Sequence, residues 1–154
     1  MSTLLHRTIL SCSLICAGFT GYAQNLVPNP GFETLLSCPP SYTAICSGFA
    51  PPWGCGNTAT SDLFNACSPP FVVGVPDNGF GSEPAFAGDG YAGIMARFIT
   101  ANYREYLQVQ LLSPLVAGTW YNVSFYVSLA DAGCGSDHMG AYFSDPHPAS
   151  ARLT

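Results

Sequence analysis

Trp120-Tyr121-Asn122-Val123-Ser124-Phe125-Tyr126-Val127-Ser128-Leu129 is the stretch on which the reading of the fold turns. Successive side chains of an extended chain alternate between two faces. Tyr121, Val123, Phe125, Val127 and Leu129 therefore share one face, and Trp120, Asn122, Ser124, Tyr126 and Ser128 share the other. This predicts a strand with one core face and one polar face that carries two large aromatics. Residues 104–111 behave the same way: Glu105, Leu107, Val109 and Leu111 alternate with Arg104, Tyr106, Gln108 and Gln110. Pro114 and Gly118 mark a bend between the two runs, which predicts an antiparallel pair. Residues 91–99 and 138–144 offer further strand-like runs.

The composition agrees. Of 154 residues, 48% are hydrophobic and 13% aromatic, with 16 glycines and 13 prolines, which suits many short strands and many turns. Charged residues make up only 8% and lysine is absent, which excludes a coiled coil, a charge-rich disordered tail and a basic nucleic-acid binder. Prolines 28, 30, 39, 40, 51, 52, 69 and 70 rule out long helices over residues 25–70. The expected class is all-β, an antiparallel β-sandwich or barrel. A jelly roll normally uses eight strands. Fewer can be traced here, so the sheet is expected to be incomplete at its carboxyl end and the chain to be the amino-terminal part of a longer protein.

Residues 1–23 have the order of a secretory signal: Arg7 for charge, an apolar stretch over residues 8–19, then Gly21-Tyr22-Ala23 as a small-x-small cleavage site. The mature domain is then residues 24–154, secreted or displayed at the cell surface. Removing the signal takes Cys12 and Cys16 away and leaves Cys38, Cys46, Cys55, Cys67 and Cys134. Four of these crowd residues 38–67, and in an oxidising compartment they read as two local disulfides with three connectivities allowed. Cys38–Cys67 with Cys46–Cys55 nested inside is the favoured one, and Cys134 is left over. Three arginines (Arg97, Arg104, Arg152) then face nine acids, a net of −6, which disfavours DNA and anionic lipid as partners.

Several segments together resemble one group of proteins. Residues 25–33, Asn-Leu-Val-Pro-Asn-Pro-Gly-Phe-Glu, look like the opening strand of galactose-binding-like jelly rolls, including the carbohydrate-binding modules attached to xylanases and cellulases. Trp53 after Pro51-Pro52, residues 61–67, residues 73–78, Gly88-Asp89-Gly90-Tyr91-Ala92-Gly93-Ile94, Arg104-Glu105-Tyr106-Leu107 and residues 121–131 extend the likeness. As a set they resemble the jelly-roll domains of secreted Bacteroidetes surface proteins, often gliding-motility-associated or fused to an outer-membrane peptidoglycan-binding domain. The resemblance implies a non-catalytic jelly roll at the amino end of a cell-surface protein. Any outer-membrane association would run through a domain this chain does not contain. It also implies a structural calcium near the opening strand, with Glu33 as a ligand of the oxygen type that this ion takes and Asp89 in the glycine turn as a second contributor; the alternative is that Glu33 caps a turn.

Candidate sites were weighed against plainer readings. Gly88-Asp89-Gly90-Tyr91-Ala92-Gly93 matches G-x-G-x-x-G, but Glu83-Pro84 precedes it and a strand-like run follows, so it reads as a tight turn and not as a nucleotide site. A serine nucleophile needs a histidine held by a third group. His138 and His147 have acids nearby in sequence, but there is no Gly-x-Ser-x-Gly elbow. No pair of carboxylates stands out for glycoside hydrolysis, so the expectation is a chain without catalysis. Zinc sites favour short Cys-x-x-Cys steps, which this chain lacks. Asn122-Val123-Ser124 fits a glycosylation acceptor but falls mid-strand. Sugar recognition needs an aromatic plane flanked by hydrogen-bonding groups. Trp120, Tyr126, Asn122, Arg104, Tyr106 and Gln108 supply that mixture if the two polar strand faces lie side by side. The expected function is binding of a glycan or cell-surface polysaccharide. The rival readings are a structural spacer in an adhesin, which predicts Trp120 and Tyr126 covered, and an extracytoplasmic hydrolase fragment.

Overall fold

The computed structural model describes residues 24–98, 103–131, 133–136 and 138–145. Among these the regular structure is short antiparallel strands, with no helix. In chain order the strands are β1 (Gly54–Cys55), β2 (Asp62–Asn65), β3 (Asp77–Asn78), β4 (Gly81–Ser82), β5 (Gly90–Gly93) and β6 (Leu107–Gln108). They form three two-stranded ladders, β1 with β6, β2 with β5 and β3 with β4. Dense proline and glycine keep the strands short, because each proline lacks a ladder donor.

The β2–β5 ladder holds the centre, with Leu63 opposite Ala92 and Phe64 opposite Tyr91. Leu63 and Phe64 point to opposite faces and both are buried, so β2 is covered on its two sides. On one side Phe64 stacks on Tyr91, ring centroids 5.1 Å apart, as directly opposed aromatics do across a ladder. On the other, Leu63 meets Ala44, Ile45 and Ala50, and Phe32, Leu35, Phe49, Trp53, Cys55, Ala92 and Leu107 pack around this cluster. Trp53 packs on this cluster together with Cys55. Its ring lies 4.9 Å from Phe32, and its Nε1–H donates to the Asn29 carbonyl at 2.8 Å.

Two disulfides join Cys38 to Cys67 and Cys46 to Cys55, with Cα atoms 5.7 Å and 5.0 Å apart. This is the nested arrangement favoured from the sequence, and it fits an oxidising compartment. Cys134 is a free, exposed thiol. The opening turn is organised by Asn29, whose φ of 46° is in the left-handed region that asparagine tolerates. Its side-chain oxygen accepts from the Thr34 N–H, and its Nδ2 donates to the carbonyls of Thr34 and Pro51. The amino-terminal segment is thereby tied to the Pro51-Pro52-Trp53 turn.

The strand expectations divide. Residues 91–99 contribute the strand Gly90–Gly93, while Ile99 lies outside the described residues, as do the expected signal over residues 1–23 and His147. Residues 104–111 keep their alternation: Glu105 is buried, Leu107, Val109 and Leu111 are half-buried, and Arg104, Gln108 and Gln110 are exposed. The partner differs from the one expected. Cys55 faces Leu107 and Gly54 faces Gln108, and the Gly56 N–H continues the pairing to the Tyr106 carbonyl at 2.8 Å. Leu107 needs the apolar cluster beneath it, and the Cys46–Cys55 staple presents the β1 backbone at that edge. Residues 120–129 form no ladder with any described residue, and both of their faces are exposed. A strand is stable only against a partner, and the run expected to supply it pairs with β1. Residues 138–144, of which Asp137 is the undescribed neighbour, likewise carry no ladder.

Candidate functional site

Residues 120–129 lie on the surface, with a local turn at the amino end and a tether to a distant segment at the carboxyl end. At the amino end the Val116 N–H donates to the Tyr121 hydroxyl at 2.9 Å, and the Thr119 N–H closes a turn onto the Val116 carbonyl. At the carboxyl end the Asp131 N–H donates to the Phe80 carbonyl at 3.1 Å, and the Asp131 carboxylate accepts from the Ser82 N–H at 3.0 Å. Midway, Tyr126 stacks face to face on Phe86, centroids 3.4 Å apart and planes 17° from parallel. Trp120 is 98% exposed and Tyr126 73% exposed, so the indole presents both faces to solvent and the phenol presents its free face. Asn122 is exposed beside them.

Arg104, Tyr106 and Gln108 stand elsewhere, on the run paired with β1. The Arg104 carbonyl accepts from Asn57 Nδ2 at 2.8 Å, while its guanidinium side is exposed. Tyr106 is half-buried, and its carbonyl accepts from Gly56. Among the described residues no hydrogen bond or ring contact joins this group to Trp120, Asn122 or Tyr126, so the six share none across the two runs. The sequence offered no sign of Phe86, the ring that supports Tyr126: it falls in a Pro-Ala-Phe-Ala loop with no strand periodicity.

Glu33 and Asp89 do come together, through the Asp89 main chain. The Glu33 carboxylate accepts from the Asp89 N–H at 3.0 Å and 3.1 Å, one to each oxygen, and from the Gly90 N–H at 3.1 Å. Gly88, with a φ of +72°, lies against the same carboxylate, where a Cβ would overlap it. Successive amides of a glycine turn make a concave donor site for an anion, and Glu33 fills it. An ion at Glu33 would face N–H groups in place of oxygens, so these residues as placed do not fit calcium. Among the described residues no three His, Cys, Asp or Glu side chains are grouped to hold a metal. The glycine turn opens onto strand β5 and not onto a helix.

One buried carboxylate escaped notice as anything but a core-face position. Glu105, 6% exposed, accepts from the Thr60 N–H at 3.3 Å, the Thr60 hydroxyl and the Tyr103 hydroxyl at 3.1 Å each, and the Met95 N–H at 2.8 Å. It ties the approaches to β2, β5 and β6 together. Its charge bears on Asp62 at the head of β2. Burial pushes the Asp62 carboxyl above its ordinary 3.8; the Thr43 N–H pulls it down, and the Glu105 charge raises it further. A carboxyl raised in the folded state holds a proton that the unfolded chain has released. Its contribution to stability is therefore complete below 3.8 and is lost as pH rises through the raised value. Asp62→Asn keeps an acceptor for the Thr43 N–H and removes the charge. Thermal melts should show the variant more stable than wild type at about pH 7, with the gain gone by about pH 3.5. An equal gain at both values would remove ionisation as the cause.

The fold and its surface define a class: an all-β chain of short antiparallel strands, stapled by two disulfides, with an exposed aromatic run. No known protein family, curated protein or solved structure matches the chain.

Proposed function

We propose that this chain is a secreted, non-catalytic jelly-roll module that binds a glycan or cell-surface polysaccharide, as the amino-terminal part of a larger surface protein. The observation that carries the reading is the presentation of Trp120, 98% exposed, on a run that also exposes Asn122 and a supported Tyr126. An indole plane in water gains most from a partner that is apolar on its faces and hydroxylated at its edges, which describes a pyranose. No charged residue stands between Glu105 and Asp131, so the surface suits a neutral polysaccharide. Arg104 and Gln108, exposed on the run paired with β1, supply donors and acceptors for hydroxyl groups of the ligand. The spacer reading requires Trp120 and Tyr126 to be covered, and their exposure favours binding.

The test is a panel of neutral polysaccharides in affinity electrophoresis and calorimetry, run with calcium and with a chelator. Binding of at least one polysaccharide is expected, and Trp120→Ala should weaken it about tenfold or more, a loss of about 1.4 kcal/mol. Tyr126→Ala should act in the same direction. Absence of binding across the panel in both conditions, or a Trp120→Ala variant that binds like wild type, overturns the proposal.

A further inference from the structure

The glycan reading uses the even-numbered side chains of residues 120–129 and leaves the odd-numbered ones unexplained. Tyr121, Val123, Phe125, Val127 and Leu129 are all exposed, although their alternation is that of a core-facing strand. The main chain is as open as the side chains. Among the described residues, no main-chain N–H or carbonyl from Trp120 to Leu129 takes part in a hydrogen bond. The contacts at Phe86 and Asp131 hold the run in place without using its edge. Unpaired edges are ordinarily blunted by lysine, proline or inward charges, and none of these occurs in residues 120–129.

We propose that residues 120–129 pair antiparallel with the same residues of a second copy of this chain, making a symmetric dimer. Three observations favour a second copy as the occupant. The first is electrostatic: the net charge of nine acids against three arginines over residues 24–154 repels another copy, whereas nothing between Glu105 and Asp131 carries charge. The second is the pattern, which is symmetric about Phe125. A two-fold axis there sets Phe125 against Phe125, Val123 against Val127 and Tyr121 against Leu129, so each apolar residue meets another and no like charges are opposed. The third is the open edge. Pairing covers the open backbone edge of ten residues from each copy and the flanks of the apolar side chains that face one another across the axis.

The same register places Trp120 and Tyr126 of both copies on the opposite face of one two-stranded ribbon. The proposal does not depend on what that face binds, and its test reads mass, not ligand. Sedimentation of the purified protein over about 1 to 100 µM should give twice the monomer mass at the upper end. Val123→Lys with Val127→Lys sets lysine against lysine across the axis and should halve that mass, with an unchanged circular dichroism spectrum because both sites are exposed. In a Cys134→Ser background, Phe125→Cys should oxidise to a disulfide-linked dimer, and Val116→Cys, off the axis, should not. Wild type that stays monomeric throughout overturns the proposal, as does a dimer that survives the double lysine change or cross-links equally at position 116.

Discussion

Replacing Cys38 and Cys67 together by alanine is expected to lower the melting temperature by about 10–15 °C. The bond spans 29 residues, and closing a loop of that length restricts the unfolded chain by about 3.5 kcal/mol in the chain-entropy account. For a domain of this size each kcal/mol is worth roughly 3–5 °C. Cys46–Cys55 spans only 9 residues, so its removal should cost less, about 2.7 kcal/mol. The larger effect falls where the structure has least else to rely on. Among the described residues the buried hydrophobic side chains are Ala44, Ile45, Ala50, Ala59, Leu63, Phe64 and Val73, three of them alanines. A core this small leans on covalent staples, as small secreted domains do. Scanning calorimetry of the two double variants checks both the size and the order of the effects. A shift under about 3 °C for Cys38→Ala with Cys67→Ala would mean that packing alone holds the segment between them.

Glu105→Ala should destabilise by about 3–4 kcal/mol, the second large effect. The carboxylate is buried and receives four donors, so truncation leaves the N–H groups of Thr60 and Met95 without an acceptor in a place water does not reach. Hydrogen bonds to a charged group contribute about 1.5–3 kcal/mol each, and an orphaned buried donor costs about 1–3 kcal/mol. The loss does not sum fully, because the Tyr103 and Thr60 hydroxyls can turn to water. Glu105→Gln keeps one acceptor oxygen and should cost about half as much. Chemical denaturation of the two variants separates the possibilities. If Glu105→Gln is as damaging as Glu105→Ala, the charge matters more than the acceptor geometry; if both are mild, the network is peripheral to stability.

The cysteines show how far local reading reaches. Four thiols crowded into residues 38–67 left three connectivities, and the nested one formed because Asn65 turns the chain at the end of β2. Its main-chain N–H donates to Val73, and its side chain accepts from the Cys67 N–H. Alternation over residues 104–111 was equally readable, since burial of every second side chain follows from pleating alone. The partner of that run was not. Pairing depends on which backbone edge arrives beside it, and a staple nine residues long delivered β1 where a hairpin through Pro114 and Gly118 was expected.

The candidate site divides along the same line. Trp120, Asn122 and Tyr126 were identifiable because they share one parity in an extended run, and Arg104, Tyr106 and Gln108 for the same reason. That the two runs are not paired with each other is a matter of which distant segments meet. Phe86 beneath Tyr126 lies 40 residues upstream in a loop with no period to read. Glu33 was singled out from the opening motif as an oxygen ligand, yet its carboxylate went to the amides of a turn 56 residues away, a contact that requires the closed fold.

What the sequence by itself determined is therefore what composition and period impose on a chain locally. It set an all-β class with no long helix over residues 25–70, a cysteine-stapled segment at 38–67, and the two faces of each extended run. Only the tertiary structure decided which edges meet, which carboxylate is buried among donors, and that residues 120–129 are left open. Parity and propensity are properties of neighbours along the chain, whereas pairing and burial depend on which distant segments the disulfides and the small core bring together.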